Sequence, residues 1–115
     1  MATFTKEFLT GSTNGRPIKV GPVGTPGVLI HTAHATSTDE VYLYAINTSG
    51  GDVQLTLEFG GTTSPDDHIG PIKIKKETGL VLIVPGSPLT NSVVVRAFVD
   101  NTNDVNIVGW VNRIT

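Results

Sequence analysis

Residues 53–59 read Val-Gln-Leu-Thr-Leu-Glu-Phe, apolar at every odd position and polar at every even one. Successive side chains of a strand point to opposite faces, so this spacing specifies a strand with one face in a core and one in water. The same texture recurs along the chain. Segments 28–31, 40–47, 72–75, 79–84, 92–99 and 105–111 are short, apolar and bounded by turn residues. Segment 40–47 carries apolar groups on both faces, as a central strand would. Segment 79–84 reads as a buried strand ended by Pro85-Gly86-Ser87-Pro88. Hairpin loops are expected at Thr48-Ser49-Gly50-Gly51-Asp52 and Asp100-Asn101-Thr102-Asn103-Asp104, and a long turn at 60–67. Strands at roughly 8–12-residue spacing with no sustained helical period predict an all-β, antiparallel β-sandwich or barrel. Jelly-roll and immunoglobulin-like topologies both fit. The expected core is Leu43, Val53, Leu55, Leu57, Phe59, Leu80, Leu82, Val93, Val95, Val99, Val105, Ile107 and Val111.

The rest of the composition narrows the function classes. Thr is the commonest residue and Val the next, in a chain of 115 residues with 13 Gly and 7 Pro. That suits strands and turns rather than a helical bundle. Charged residues are 16%, against about 25% in an average domain. Net charge is −2, and the one basic cluster is Lys73, Lys75 and Lys76. A face built to neutralise phosphates needs more, so no nucleic-acid binding is expected. Without cysteine there is no disulfide, zinc–thiolate site or thiol nucleophile. The longest apolar run, 80–84, is far too short to span a bilayer, and residues 1–10 hold no signal-peptide core. The expectation is one soluble, unexported domain, made in the cytoplasm and touching no membrane.

Residues 1–27 differ from the rest. Phe4, Phe8, Leu9 and Ile18 are apolar anchors in a Gly- and Pro-rich segment that includes Gly11-Ser12-Thr13-Asn14-Gly15-Arg16-Pro17. This is expected to be an extended arm, with one short strand at 18–20, attached to a sandwich over 28–115. An arm of this kind is ordered only where something supplies a surface. That surface is either the parent sandwich or a neighbouring protein. Arg16 is placed to meet a partner carboxylate through both guanidinium nitrogens. Phe98 and Trp110 fall on the opposite parity to Val99 and Val111, and are candidates for a second sheet face or an intersubunit contact.

No catalytic pattern emerges. His31 and His34 are three apart, which on a strand puts them on opposite faces and disfavours a shared metal ion. Asp39-Glu40, Asp66-Asp67 and Asp100 with Asp104 are paired acids, but each lies in or beside an expected turn, where Asp bonds its own backbone. There is no Gly-x-Ser-x-Gly elbow, and neither Gly50-Gly51 nor Gly60-Gly61 leads into a phosphate-binding helix. Asn47-Thr48-Ser49 matches the glycosylation pattern and is read as a turn. A non-enzymatic protein with no cofactor and no metal is expected.

The phrases Gly-Ser-Thr-Asn-Gly-Arg-Pro-Ile-Lys-Val (11–20), Leu-Ile-His-Thr-Ala (29–33), Phe-Gly-Gly-Thr-Thr-Ser-Pro-Asp-Asp (59–67), Gly-Leu-Val-Leu-Ile-Val-Pro-Gly (79–86) and Val-Asn-Arg-Ile-Thr (111–115) resemble a family of small virion structural proteins of tailed bacteriophages. The resemblance covers nearly the whole chain but includes no catalytic motif. It implies a capsid decoration, or cement, protein on the exterior of the virion head. Its partner would be the major capsid protein, and it would assemble as a homotrimer over local threefold axes. The implied effect is to bridge capsid subunits against the pressure of packaged DNA. Two other roles fit the residues: a neck, tail or baseplate component, and a carbohydrate-binding host-attachment module. For the last, Tyr42 and Tyr44 are the available sugar platform, and their shared parity suits core packing equally well.

Overall fold

The alternating segments form strands, and their odd-numbered residues meet in one core. The computed structural model describes residues 2–61, 63, 66–101 and 105–115. Among these, nine strands and no helix occur: β1 (Phe4–Phe8), β2 (Ile18–Val20), β3 (Val28–Thr32), β4 (Thr38–Asn47), β5 (Val53–Phe59), β6 (His68–Ile74), β7 (Val81–Leu89), β8 (Val94–Val99) and β9 (Val105–Ile114). A five-stranded sheet has the order β1-β9-β4-β7, with β2 also on β9; a four-stranded sheet has the order β3-β8-β5-β6. The antiparallel pairs nest: β5 with β6, β4 with β7, β3 with β8, β2 with β9. A chain doubled back in nested pairs and wrapped into two sheets is a jelly roll. This decides between the two topologies the sequence allowed.

Side chains from both sheets fill the space between them. Val41, Leu43 and Ala45 of β4 and Val105, Ile107 and Val111 of β9 meet Val53, Leu55 and Leu57 of β5 and Val95, Ala97 and Val99 of β8, all buried. Residues 2–27 form no free arm: they add β1 and β2 to the five-stranded sheet and send Leu9, Ile18 and Val20 into this core. β1 pairs with the 110–114 part of β9, and β2 continues the same edge against 105–107. Leu9, Ile18 and Val20 are 1%, 6% and 0% exposed. Deleting residues 1–20 would therefore remove core side chains as well as surface.

Two expected core residues are outside. Leu80 and Leu82 are 58% and 49% exposed. Strand β7 also does not stop at Pro85; it runs through Pro85-Gly86-Ser87-Pro88 to Leu89. Both departures follow from its place at a sheet edge. β7 pairs only with β4, so a proline there costs no ladder bond on its open side. The register slips twice, leaving Ile83 and Gly86 without a partner on β4. Each bulge reverses the alternation. Leu82 therefore pairs with outward-facing Tyr44, while Val84, two residues on, pairs with inward-facing Leu43 and is buried. Gly86 makes its bulge at φ 99°, with the Tyr42 ring where a side chain would stand. Phe59 packs on the core while half-buried, and Val93 is also half-buried.

Leu9→Ala should destabilise the protein by about 2–5 kcal/mol, whereas Leu82→Ala should change stability by no more than about 0.5 kcal/mol. Urea unfolding of the two variants checks both values.

Candidate interaction surface

Even-numbered residues of β4 and β9 face away from the core, and the register lines them up across the five-stranded sheet. Phe8 of β1 lies beside Trp110 of β9, Trp110 beside Tyr42 of β4, and Tyr42 beside Pro85 of β7. The adjacent row is Val108, Tyr44 and Leu82. Tyr42 stacks on Trp110 with ring centres 5.1 Å apart and planes 14° apart; Tyr44 stacks at 6.1 Å and 25°. From the opposite side of β9, the Lys6 ammonium sits 4.9 Å from the centre of the Trp110 ring. Trp110 is thus held half-buried between β1 and β4 by stacking and a cation–π contact.

On one side of this ladder the surface is apolar; on the other runs a polar row, Lys6, Asn112 and Glu40, with the Asn112 amide donating to Glu40 at 2.9 Å, and Phe4 stands beyond it. Phe4, Phe8, Leu80 and Leu82 are four of the five large hydrophobic side chains that the described residues expose; Val23 is the other. Two hollows flank Trp110. One of about 460 Å³ is lined by Lys6, Glu7, Phe8, Gly15, Gly109 and Trp110. The other, about 350 Å³, is lined by Gly15, Tyr44, Leu80, Val108, Gly109 and Trp110. Gly15 has φ 81°, and a side chain there would press on the Phe8 ring.

The residues singled out from sequence divide into four places. Phe4, Phe8 and Trp110 share this face. Leu9 and Ile18 belong to the core. Phe98 lies on the other sheet, half-buried, edge-on to His68 at 5.6 Å. Arg16 is exposed beside a separate cleft of about 630 Å³, lined also by Thr13, Lys19, Val28 and Asn106. Its position is set by the turn: the Ser12 hydroxyl donates to the Arg16 carbonyl at 2.8 Å, and the Arg16 N–H donates to the Thr13 carbonyl at 3.0 Å.

Two buried acids were not recognisable as such from sequence. Asp39, expected at a turn, lies within β4 and is fully buried. Its Oδ1 accepts from Arg113 Nε at 2.8 Å; its Oδ2 accepts from His31 Nε2 at 2.8 Å, Arg113 Nη2 at 3.1 Å and the His34 N–H at 3.1 Å. His31 Nδ1 accepts the Thr10 N–H at 3.1 Å, which assigns the ring proton to Nε2. Arg113 also reaches Glu7 at 3.9 Å. The network ties β3, β4, β9 and the end of β1 together. Burial alone would raise the Asp39 carboxyl; the bonds from Arg113, His31 and the His34 amide outweigh it and hold its pKa at about 2. Glu58 is the second, on the polar side of the β5 alternation yet fully buried. It accepts from the Thr25 hydroxyl at 2.7 Å and the Gly27 N–H at 2.6 Å, fastening the loop before β3 onto the four-stranded sheet. The alternation alone gave no sign that a loop would cover it.

The other polar candidates are local fasteners. His34 Nδ1 accepts the Thr36 and Ser37 N–H groups. Asp67 accepts the Thr63 N–H, and Asp100 the Gln54 N–H. Asp104, like Thr62, Ser64, Pro65, Thr102 and Asn103 of the two expected loops, lies outside the described residues. The Asn47 amide donates to the Gly51 and Ile74 carbonyls and is nearly buried, so this sequon is a structural turn. Among the described residues no three His, Asp or Glu are placed to hold a metal ion, and no helix is long and apolar enough to cross a membrane.

A carboxyl depressed in the folded state stabilises above its unfolded pKa, and that contribution is lost as pH falls through the folded value. Stability should therefore drop by about 2 kcal/mol between pH 4 and pH 2 through Asp39 alone. Asp39→Asn should be less stable at neutral pH and should lack this part of the acid-induced fall. Thermal unfolding across that window, compared between the two proteins, measures the difference.

Comparison with known proteins finds no matching family model, no matching curated protein and no matching solved structure.

Proposed function

We propose that this chain is a non-enzymatic structural protein of a tailed-phage virion, a decoration protein on the outside of the head that bridges major capsid subunits. The observation that carries this reading is the apolar and aromatic strip on the outer face of the five-stranded sheet, from Phe8 across Trp110 and Tyr42 to Leu82. A contiguous apolar surface on a small β-domain marks a site of protein contact. The phrase-level resemblance to small phage proteins supplies the kind of partner. The jelly roll agrees with it, since this architecture recurs in viral shells, although a fold alone gives no function. Copies related by symmetry, trimeric in this reading, would each add a modest contact, and the contacts would sum over the shell.

The sugar-binding reading is disfavoured by the same face. A pyranose stacks on an open ring face, and the rings of Tyr42 and Tyr44, the platform read from sequence, are both stacked on Trp110. A neck or tail protein could use the identical surface at lower copy number.

The test is co-sedimentation with purified, undecorated capsids. The parent protein should bind, and Phe8→Ser should weaken binding at least about tenfold, equivalent to about 1.4 kcal/mol, while unfolding at the parent's urea concentration. Equal binding by the variant would remove this face from the contact.

A further inference from the structure

A jelly roll leaves four sheet edges, and three of them are closed. The edge of β6 contains Pro71 and carries Lys73. That of β7 contains Pro85 and Pro88 and is bulged. Along β3, the Gly11 N–H bonds the Ile30 carbonyl and the Thr10 hydroxyl accepts the Thr32 N–H, so residues 10–11 cover it. Prolines, lysines, bulges and covering loops are the usual means of blunting an edge. The fourth edge is shared by β2, three residues between Pro17 and Pro22, and by β1. β1 has no proline, no bulge against β9 and no described strand on its outer side.

The hydrogen-bond phase of β1 follows from its first pair. Thr3 and Thr115 exchange both backbone bonds, at 3.0 and 2.9 Å. In an antiparallel ladder such pairs alternate, so Thr5 with Arg113 and Glu7 with Val111 also bond. The N–H and C=O groups of Phe4, Lys6 and Phe8 therefore point away from β9, over the open edge. Lys6 does not hood that edge, because its ammonium is drawn back over Trp110. Phe4 and Phe8, 63% and 67% exposed, stand on either side of it on the outer face.

We propose that β1 is a docking strand: its outer edge takes an extended segment of another protein as an added strand, with an acidic residue opposite Lys6 and apolar residues opposite Phe4 and Phe8. The backbone groups demand an extended chain, as in other cases of strand addition. An acidic residue opposite Lys6 would draw its ammonium off the Trp110 ring and set the sign of the incoming charge. A second copy of the chain fits less well: the antiparallel register that matches Phe4 with Phe8 of the other copy sets Lys6 directly opposite Lys6, and like charges in that position are destabilising. The proposal rests on the preceding reading only for the source of the strand, which would be the major capsid protein.

The probe is an end-capped peptide, Thr-Val-Thr-Glu-Thr-Val-Thr, with Lys in place of Glu as its control. In amide hydrogen exchange followed by NMR, the Glu peptide should slow exchange at Phe4, Lys6 and Phe8 about tenfold. Thr5 and Glu7, already bonded to β9, should not change. The Lys peptide should protect far less, and Lys6→Glu should reverse the preference. Lys6→Pro removes the outward donor while sparing the bonds to β9, and should abolish protection with Thr5 and Glu7 still slow. No protection at the three amides, equal protection by both peptides, or dimerisation of the parent that Lys6→Pro removes would each overturn the proposal. Capsid co-sedimentation separates it from the reading above. A Lys6→Pro variant that binds capsids as well as the parent sinks the docking strand and spares the decoration role. A parent that binds the Glu peptide but no capsid keeps the strand and sinks the role.

Discussion

Ten residues of β4 lie in register against ten of β9, from Thr38 beside Ile114 to Asn47 beside Val105, and the rest of the molecule is hung from that ladder. β9 comes last in the chain, so this pairing closes the nested fold around everything before it. Its inner face supplies Val41, Leu43, Ala45, Ile107 and Val111 to the core. Its outer face supplies the Tyr42–Trp110 stack. The free side of β9 receives both β1 and β2. The two strands approach so closely at Leu43 and Gly109 that a side chain on Gly109 would collide with the Tyr42 carbonyl oxygen. Near the Thr38–Ile114 end, the Asp39–Arg113 pair lies on the core side and recruits His31 and Glu7. Asp39 is fully buried, so removing Arg113 would leave its charge without its main partner, at a cost of several kcal/mol.

Where a strand has one wet and one dry face, its sequence announced it. β8 alternates as read, β9 buries Val105, Ile107 and Val111, and β5 buries Val53, Leu55 and Leu57 as read but covers Thr56 and Glu58 on its other face as well. β1 was not legible because both its faces are largely exposed, so Phe4-Thr5-Lys6-Glu7-Phe8 carries no core signature; pairing with β9 holds it. β7 was cut short because prolines normally end a strand, a rule that lapses at an edge. Leu80 and Leu82 were misplaced because a bulge, which local composition does not reveal, reverses the faces around Ile83. Asp39 and Glu58 looked like solvated acids because their partners, Arg113 and the residue 25–27 loop, are distant in the chain.

The candidate surface was half legible for a related reason. Parity put Trp110 and Phe98 on a second face; Trp110 lies there, Phe98 lies on the other sheet, and Tyr42 and Tyr44, read equally as core packing, join Trp110 because β4 and β9 adjoin in this fold. Once β1 and β7 take the two edges, Phe8 and Leu82 extend the aromatic centre into a surface crossing the whole sheet. Leu9 and Ile18, read beside Phe4 and Phe8 as one set of anchors, turn the other way into the core. The N-terminal segment is thus both part of the domain's own core and the carrier of its most exposed apolar groups. In the proposed role, a partner's grip on Phe4 and Phe8 would be transmitted to a rigid block rather than to a loose tail.

The most direct measurement of the proposed decoration role is the copy number of this chain relative to the major capsid protein in purified virions from cells that make it, by quantitative mass spectrometry. Near-stoichiometric amounts are the predicted result. A handful of copies per virion would place the protein at the neck or tail instead, and its complete absence from virions would contradict a structural role there.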